Sequence, residues 1–206
     1  MLSWLLWALL LAAVASGWRY RAIVYLFVLM LAPHLAPAQE LGPARYDTCI
    51  RSAVSTWWAA GPDWLWWRAQ LYQESRLDPQ AESPVGARGL AQMMPGTWGD
   101  ITRAMGWGLV SRDDACLSAE AGAYYMARLQ RSWSSPRPQM ERHRLAQASY
   151  NAGLGNILDA QRACGGRRDW AQISPCLPEI TGRHARETQD YVDRIARWRA
   201  QMEALR

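Results

Sequence analysis

A mainly α-helical domain behind an apolar leader is what this sequence predicts, on three observations. From Gln39 onward, apolar residues recur at three- and four-residue spacing, the period of a helix with a buried face. These stretches are separated by Gly61-Pro62-Asp63, Asp78-Pro79 and Ser134-Ser135-Pro136-Arg137-Pro138, clusters that end one helix and start the next. No stretch alternates convincingly between apolar and polar residues, and no segment repeats. With 206 residues, 50% of them hydrophobic, the chain has room for one core plus extensions.

Residues 1–38 read as the leader and 39–206 as the domain. Leu2 to Ser16 and Ala22 to Ala36 are apolar, with Gly17-Trp18-Arg19-Tyr20-Arg21 between them. Taken alone, the second stretch has the parts of a secretory signal. Arg19 and Arg21 form its n-region, Ile23 to Ala32 its h-region, and Ala36-Pro37-Ala38 an A-x-A cleavage site. Together the two stretches would instead form a short membrane hairpin with the arginines on the cytoplasmic side. Each falls short of the roughly 20 residues that span comfortably. Both readings export the remainder of the chain, either soluble in the periplasm after cleavage near Ala38 or anchored in the inner membrane.

Tyr46 to Ala59 reads as the first helix. Asp63 caps the second, which runs to about Ser75. Ala81 to Gln92 is a loop or short hairpin, with Gly86 and Gly89 free to take positive φ. Pro95 opens a short helix to about Met105. A long helix follows over about Asp114 to Trp133, where Gly122 and Ala123 imply close helix–helix contact. Further helices cover about Arg142 to Ser149, Asn156 to Ala163 and Arg186 to Leu205.

Charge and composition narrow the function. The net charge of +5 comes entirely from Arg, because the chain has no Lys; it suits an anionic cell wall. There is no basic run and no interleaving of basic with aromatic residues, so no nucleic-acid partner is expected. His34, His143 and His184 lack metal-ligand spacing and no phosphate-binding Gly loop is present, so neither metal nor organic cofactor is expected. All four cysteines, Cys49, Cys116, Cys164 and Cys176, follow the leader. An even count in an oxidising compartment implies two disulfides. Three pairings are possible; Cys164 with Cys176 would close a loop around Gly165-Gly166 and leave Cys49 for Cys116.

The chemistry concentrates in Gln73 to Trp98. Glu74 ends a Trp-rich run and shares helical spacing with Trp64, Trp67 and Leu71. An acid beside apolar surface is destabilised when charged, so its pKa should rise into the range of a general acid. Trp57, Trp58, Trp64, Trp66 and Trp67 are expected mostly in the core, with one or two open to stacking on sugar rings.

Here the residues resemble a known family. Glu74-Ser75-Arg76, followed by Gly86-Ala87-Arg88-Gly89-Leu90-Ala91-Gln92-Met93-Met94-Pro95-Gly96-Thr97, is similar to the signature of soluble-type (SLT) lytic transglycosylases: an E-S dipeptide, then G-A-x-G-L-M-Q and M-P-x-T. Gly122 with Tyr125-Met126 resembles the family's G-x-x-Y-L segment. Tyr150-Asn151-Ala152-Gly153 matches its Y-N-A-G, and Glu187-Thr188 with Tyr191-Val192 its E-T-x-x-Y-V. The motifs stand in the family's order over about Gln70 to Arg197. Ala91 where Met is usual, Ser118-Ala119 for a frequent Asn-Ile pair, and Leu154 where Pro often follows are the departures; none removes a reactive group.

The resemblance implies a lysozyme-like domain with a groove for a peptidoglycan strand. Glu74 would be the single catalytic acid, cleaving the N-acetylmuramic acid–N-acetylglucosamine bond with formation of a 1,6-anhydro ring. It further implies that Ser75 orients Glu74 or an acetamido group, or merely ends the helix. Gln92 and Asn151 would bond N-acetyl groups, or else satisfy backbone groups. Tyr150 and Tyr191 would hold the carboxylate side of the groove, Met93 and Met94 its apolar floor, and Glu187 would pair with an arginine. Two other readings stay open: a muramidase of goose-type character using water, and a non-catalytic glycan-binding module. A secretion, conjugation or phage apparatus would be the partner of a wall-opening enzyme of this size; a housekeeping role in wall remodelling is equally open.

Overall fold

The computed structural model describes residues 41–58 and 61–206, all within one compact unit, Leu41–Arg206. The expected leader, residues 1–38, lies outside the described residues, as do Gln39 and Glu40. The described helices are α1 (Asp47–Trp57), α2 (Trp64–Ser75), α3 (Pro95–Ala104), α4 (Ala115–Ser132), α5 (Gln139–Ala152), α6 (Leu154–Ala163), α7 (Trp170–Ile173), α8 (Leu177–Thr181) and α9 (Ala185–Ala204). No strand is present among them, only isolated bridges in the loop after α2. Among the described residues, no helix is long and apolar enough to cross a membrane.

Helix α2 is the axis of the domain. The Asp63 carboxylate accepts from the Leu65 N–H at 2.9 Å and starts it. It is buried almost all round, at Leu65, Trp67, Arg68, Ala69, Gln70, Leu71, Tyr72 and Ser75. A helix surrounded in this way must be enclosed by others. Helix α9 lies along it, and α1 packs on both α2 and α4. The one-faced helix expected from the spacing of Trp64, Trp67, Leu71 and Glu74 is therefore a central one. Arg68, buried among apolar neighbours, is satisfied by Asp47 at 2.7 Å and by the Leu41 and Gly42 carbonyls at 2.8 and 3.1 Å.

The tryptophans near its N-terminus serve packing. The Trp58 and Trp67 Nε1–H groups each donate at 3.0 Å to α4 carbonyls, those of Ala123 and Ala119. Trp57 meets the Tyr124 ring edge-on, and Trp66 meets His143. His143 is wholly enclosed, and burial lowers its pKa to about 3, so it stays neutral.

The cysteines pair as Cys49–Cys116, joining α1 to the first turn of α4, and Cys164–Cys176. Each bridge contributes about 2–4 kcal/mol. Helix α5 begins at Gln139, earlier than the expected Arg142, because Pro138 serves as its N-cap rather than extending the break. It continues to Ala152, where Gly153 turns the chain at φ 87°. Helices α7 and α8, of 4 and 5 residues, are too short to leave a period in the sequence.

Candidate active site

Glu74 stands in the last turn of α2. The helix ends because Arg76 and Leu77 both take left-handed backbone, at φ 57° and 60°. Ser75 turns the other way: its hydroxyl bonds the Leu71 carbonyl at 3.2 Å and, across the fold, the Leu90 carbonyl at 2.9 Å. It thus ties the loop to the helix, and orienting Glu74 falls to another residue.

The loop from Ala81 to Met93 is held from within and without. Bridges link Glu82 to Arg88 and Arg88 to Met93. Gly89, at φ 82°, passes so close to the Arg112 backbone that a Cβ there would lie 2.1 Å from the Arg112 carbonyl oxygen. Arg112 reaches back with one guanidinium nitrogen to the Gly86 and Met93 carbonyls at 2.7 and 2.8 Å. The Gln92 amide donates to the Ala81 and Gly89 carbonyls at 2.9 and 3.1 Å. Of the two roles expected for Gln92, its NH2 performs the backbone one, and Oε1 is what it has left for a ligand. Met93 is buried, with its sulfur 4.0 Å from the Tyr150 hydroxyl; Met94 beside it is 43% exposed.

Two tyrosines converge on this corner and do different work. Tyr150, from α5, donates its hydroxyl proton to the Ala91 carbonyl at 2.7 Å and so fixes the loop. Tyr191, from α9, donates to Glu74 Oε1. Burial first, then the charge of Glu74, holds both phenols well above their usual pKa, so both stay protonated. Asn151 accepts from the Thr188 hydroxyl at 2.7 Å, which points its Nδ2 donors elsewhere. It is exposed and borders a cavity of about 420 Å³ shared with Asn156, His184, Glu187 and Thr188. Glu187 faces His184 at 3.7 Å rather than the expected arginine, because His184 is the N-cap of α9 and Glu187 lies in its first turn.

Glu74 keeps partial exposure at the surface, while the protein packed around its carboxyl raises the pKa to about 7. Desolvation dominates; the Tyr191 hydrogen bond opposes it without cancelling it. Four other acids, Asp78, Glu82, Asp113 and Asp114, have structural work. Asp78 caps the Gln80 N–H at 2.9 Å, and Asp114 caps Cys116 and Leu117, each at 3.0 Å. Glu82 and Asp113 flank Arg88 at 3.5 and 2.6 Å.

A raised carboxyl pKa has a consequence for stability. Between the unfolded value of 4.5 and the folded value of about 7, the folded state holds the extra proton, so stability falls as pH rises through that window. Glu74→Gln removes this penalty. The variant should be more stable than the parent by on the order of 2–3 kcal/mol at pH 8 and no more stable at pH 4. Thermal melts at the two pH values measure the difference; an equal gain at both would remove the burial account of Glu74.

Arg112, Thr188 in its bond to Asn151, and Gln70 beneath Glu74 were not singled out from the sequence. Arg112 lies outside the motifs, and no spacing rule links it to the loop.

The family model described as Transglycosylase SLT domain matches residues 67–173. The membrane-bound lytic murein transglycosylase F of Yersinia pestis (strain Pestoides F) is 33% identical over 155 residues, 68% of this chain and 31% of that protein. Its counterpart from Serratia proteamaculans (strain 568) is 31% identical over 160 residues, 70% of this chain and 32% of its own. The chain thus spans about a third of the length of these relatives. Among solved structures, the 70-kDa soluble lytic transglycosylase of Escherichia coli superposes with a TM-score of 0.63 at 24% identity, over 79% of this chain and 25% of that one. A 70-kDa soluble lytic transglycosylase in complex with bulgecin A gives 0.63 at 26% identity, with the same coverage. The match over residues 67–173 takes in just over half of the chain and contains Glu74, the loop it borders, and the tyrosine that pins that loop; on that match the chain belongs to the transglycosylase SLT domain family.

Proposed function

We propose that this protein is a peptidoglycan lytic transglycosylase, cleaving the β-1,4 bond between N-acetylmuramic acid and N-acetylglucosamine and leaving 1,6-anhydro-muramic ends. The observation that carries the reading is, among the described residues, a single accessible carboxyl with a pKa of about 7, hydrogen-bonded by a neutral tyrosine. Ordinary glycoside hydrolysis takes two carboxylates. One suffices where the substrate supplies the second group.

In this scheme Glu74 gives its proton to the glycosidic oxygen, and the muramic acid's 2-acetamido oxygen bonds to the anomeric carbon as the leaving sugar departs. Glu74, now a carboxylate accepting from Tyr191, takes the proton of the same sugar's C6 hydroxyl. O6 then bonds to the anomeric carbon and releases the acetamido oxygen. Water is not consumed, so the reaction is a lyase reaction. A pKa near neutrality suits a group that must serve as acid and then as base. The Nδ2 donors of Asn151 and the Oε1 of Gln92 are the polar groups offered to N-acetyl substituents.

The proposed setting is the periplasm, reached through the leader and either soluble or held at the inner membrane; the two relatives above are named as membrane-bound. Partners in a secretion, conjugation or phage apparatus are part of the same proposal. The test is incubation of the oxidised protein with isolated sacculi and mass spectrometry of the released muropeptides. Anhydro-muramic ends support the lyase; reducing muramic ends replace it with a muramidase on the same scaffold; absence of release removes the enzymatic reading.

A further inference from the structure

One turn below Glu74, the interior holds an amide that the scheme above does not use. Gln70 is wholly buried, yet neither its Nε2 nor its Oε1 has a hydrogen-bond partner. Gln147 on α5 is in the same state. Around α2, the Trp66 and His143 rings lie 5.6 Å apart and those of Trp67 and Tyr150 6.4 Å, and the charge of Glu74 acts on Tyr150. Gln70 stands one turn before the Glu74 carboxyl on the same helix. Burying an amide without a partner is costly, and such groups are rare enough in a folded core to require a reason.

Gln70 has a specific neighbour. Helix α9 packs along α2, and the Gln70 amide lies close enough to the Tyr191 hydroxyl to favour the ionised phenol, without a completed hydrogen bond in the resting structure. Tyr191 is the group that donates to Glu74. We propose that Gln70 is a positioning residue for Glu74, acting through Tyr191: its N–H completes a chain, amide to phenol oxygen and phenol proton to carboxylate, when Glu74 loses its proton. Negative charge on Glu74 draws the phenol proton toward it and leaves the phenol oxygen richer in electrons, which strengthens its acceptance from an N–H. The amide stays neutral throughout, so it supports the carboxylate without adding a charge that would hold Glu74 ionised at rest.

The titratable groups facing Glu74 are Tyr191 from α9 and Tyr150 from α5, with Tyr125 of α4 behind Tyr150 at 5.3 Å between ring centres. On α2's own end, Arg76 is turned over the Tyr72 and Trp198 rings. The loop's Arg88 is engaged by Glu82 and Asp113.

The catalytic consequence rests on the function proposed above, so the deciding readout is independent of activity. The pKa of Glu74 is followed by 13C-carboxyl NMR in the unaltered protein, in Gln70→Met, in Tyr191→Phe and in the double variant. Gln70→Met should raise it by about half a unit, and should change nothing further once Tyr191→Phe is present. With sacculi, the alkaline limb of the rate profile moves up by the same amount and kcat falls about fivefold with KM unchanged. A folded Gln70→Met protein with an unmoved Glu74 pKa overturns the proposal, as does an equal shift in the Tyr191→Phe background.

Should Gln70→Met not fold, the side-chain amide resonances of Gln70 in the unaltered protein decide. They should titrate with the Glu74 midpoint and lose that inflection in Tyr191→Phe; resonances that ignore Glu74 reject the chain of contacts. An unaltered protein that releases no muropeptide, while the pKa coupling is present, rejects the enzymatic reading and leaves the coupling standing.

Discussion

Glu74→Gln should reduce muropeptide release by about 10³-fold, the scale on which a single proton-transfer group acts. The substitution keeps the side chain's shape and one of its oxygens, so Tyr191 retains an acceptor and the groove its form. What is lost is a transferable proton near neutral pH, first given to the leaving oxygen and then recovered from the C6 hydroxyl. Binding to sacculi should stay within about twofold of the parent, because only interactions made in the transition state have been removed. Tyr191→Phe sets the scale beneath it: the carboxyl remains, only its orientation and one donor go, and the loss should be about tenfold. If Glu74→Gln released anhydro-muropeptides at the parent's rate, the assignment of the acid would fail. Another group would then have to supply the proton to the leaving oxygen.

Substitution at Gly122 should produce the largest loss of stability. A Cβ built on Gly122 would lie 2.5 and 2.6 Å from Cζ2 and Cη2 of Trp67 and 2.9 Å from the Ala91 Cβ. The indole cannot swing away. It is wholly buried, and its Nε1–H is bonded to the Ala119 carbonyl one turn earlier on the same helix. Gly122→Val adds two methyls beyond that Cβ. It should cost about 3 kcal/mol or more, from overpacking and a strained indole hydrogen bond. In a domain of this size that lowers Tm by roughly 6–12 °C. Because Ala91 is displaced as well, and its carbonyl anchors Tyr150, surviving folded protein should also be less active. Gly155→Ala is the control: nothing lies within 4 Å of a Cβ there, and Ala suits the helix better, so Tm should hold or rise slightly. A Gly122→Val protein melting with the parent would mean that α4 and Trp67 separate more easily than their packing implies.

Much of this architecture is local and therefore legible in the sequence. Asp63 and Asp114 cap their helices because their short side chains reach back to free N–H groups a few residues on. Pro95 opens a helix at the position where its missing N–H is harmless. The motif around Glu74 marks the acid, and the Trp-rich run before it foretells the desolvation that raises its pKa. Helices α5 and α6 extend a few residues beyond the limits their spacing predicts, because local signals weigh Pro138 and Gly153 without the packing that decides their roles.

The partners across the fold were decided elsewhere. Tyr191 donates to Glu74 from 117 residues away, Ser75 serves the loop rather than the acid, and Gln92 spends its NH2 on backbone carbonyls. Gly122 makes room for an indole of α2, a partner that its small size announced only as close contact. By itself, the sequence determined the longer helices, several of their caps, and the motif that holds Glu74 with the residues that accompany it. Only the tertiary structure decided which of those residues touch it. A cap or a turn is settled by atoms a few bonds apart, whereas a contact between α2 and α9 exists only after the chain between them has packed.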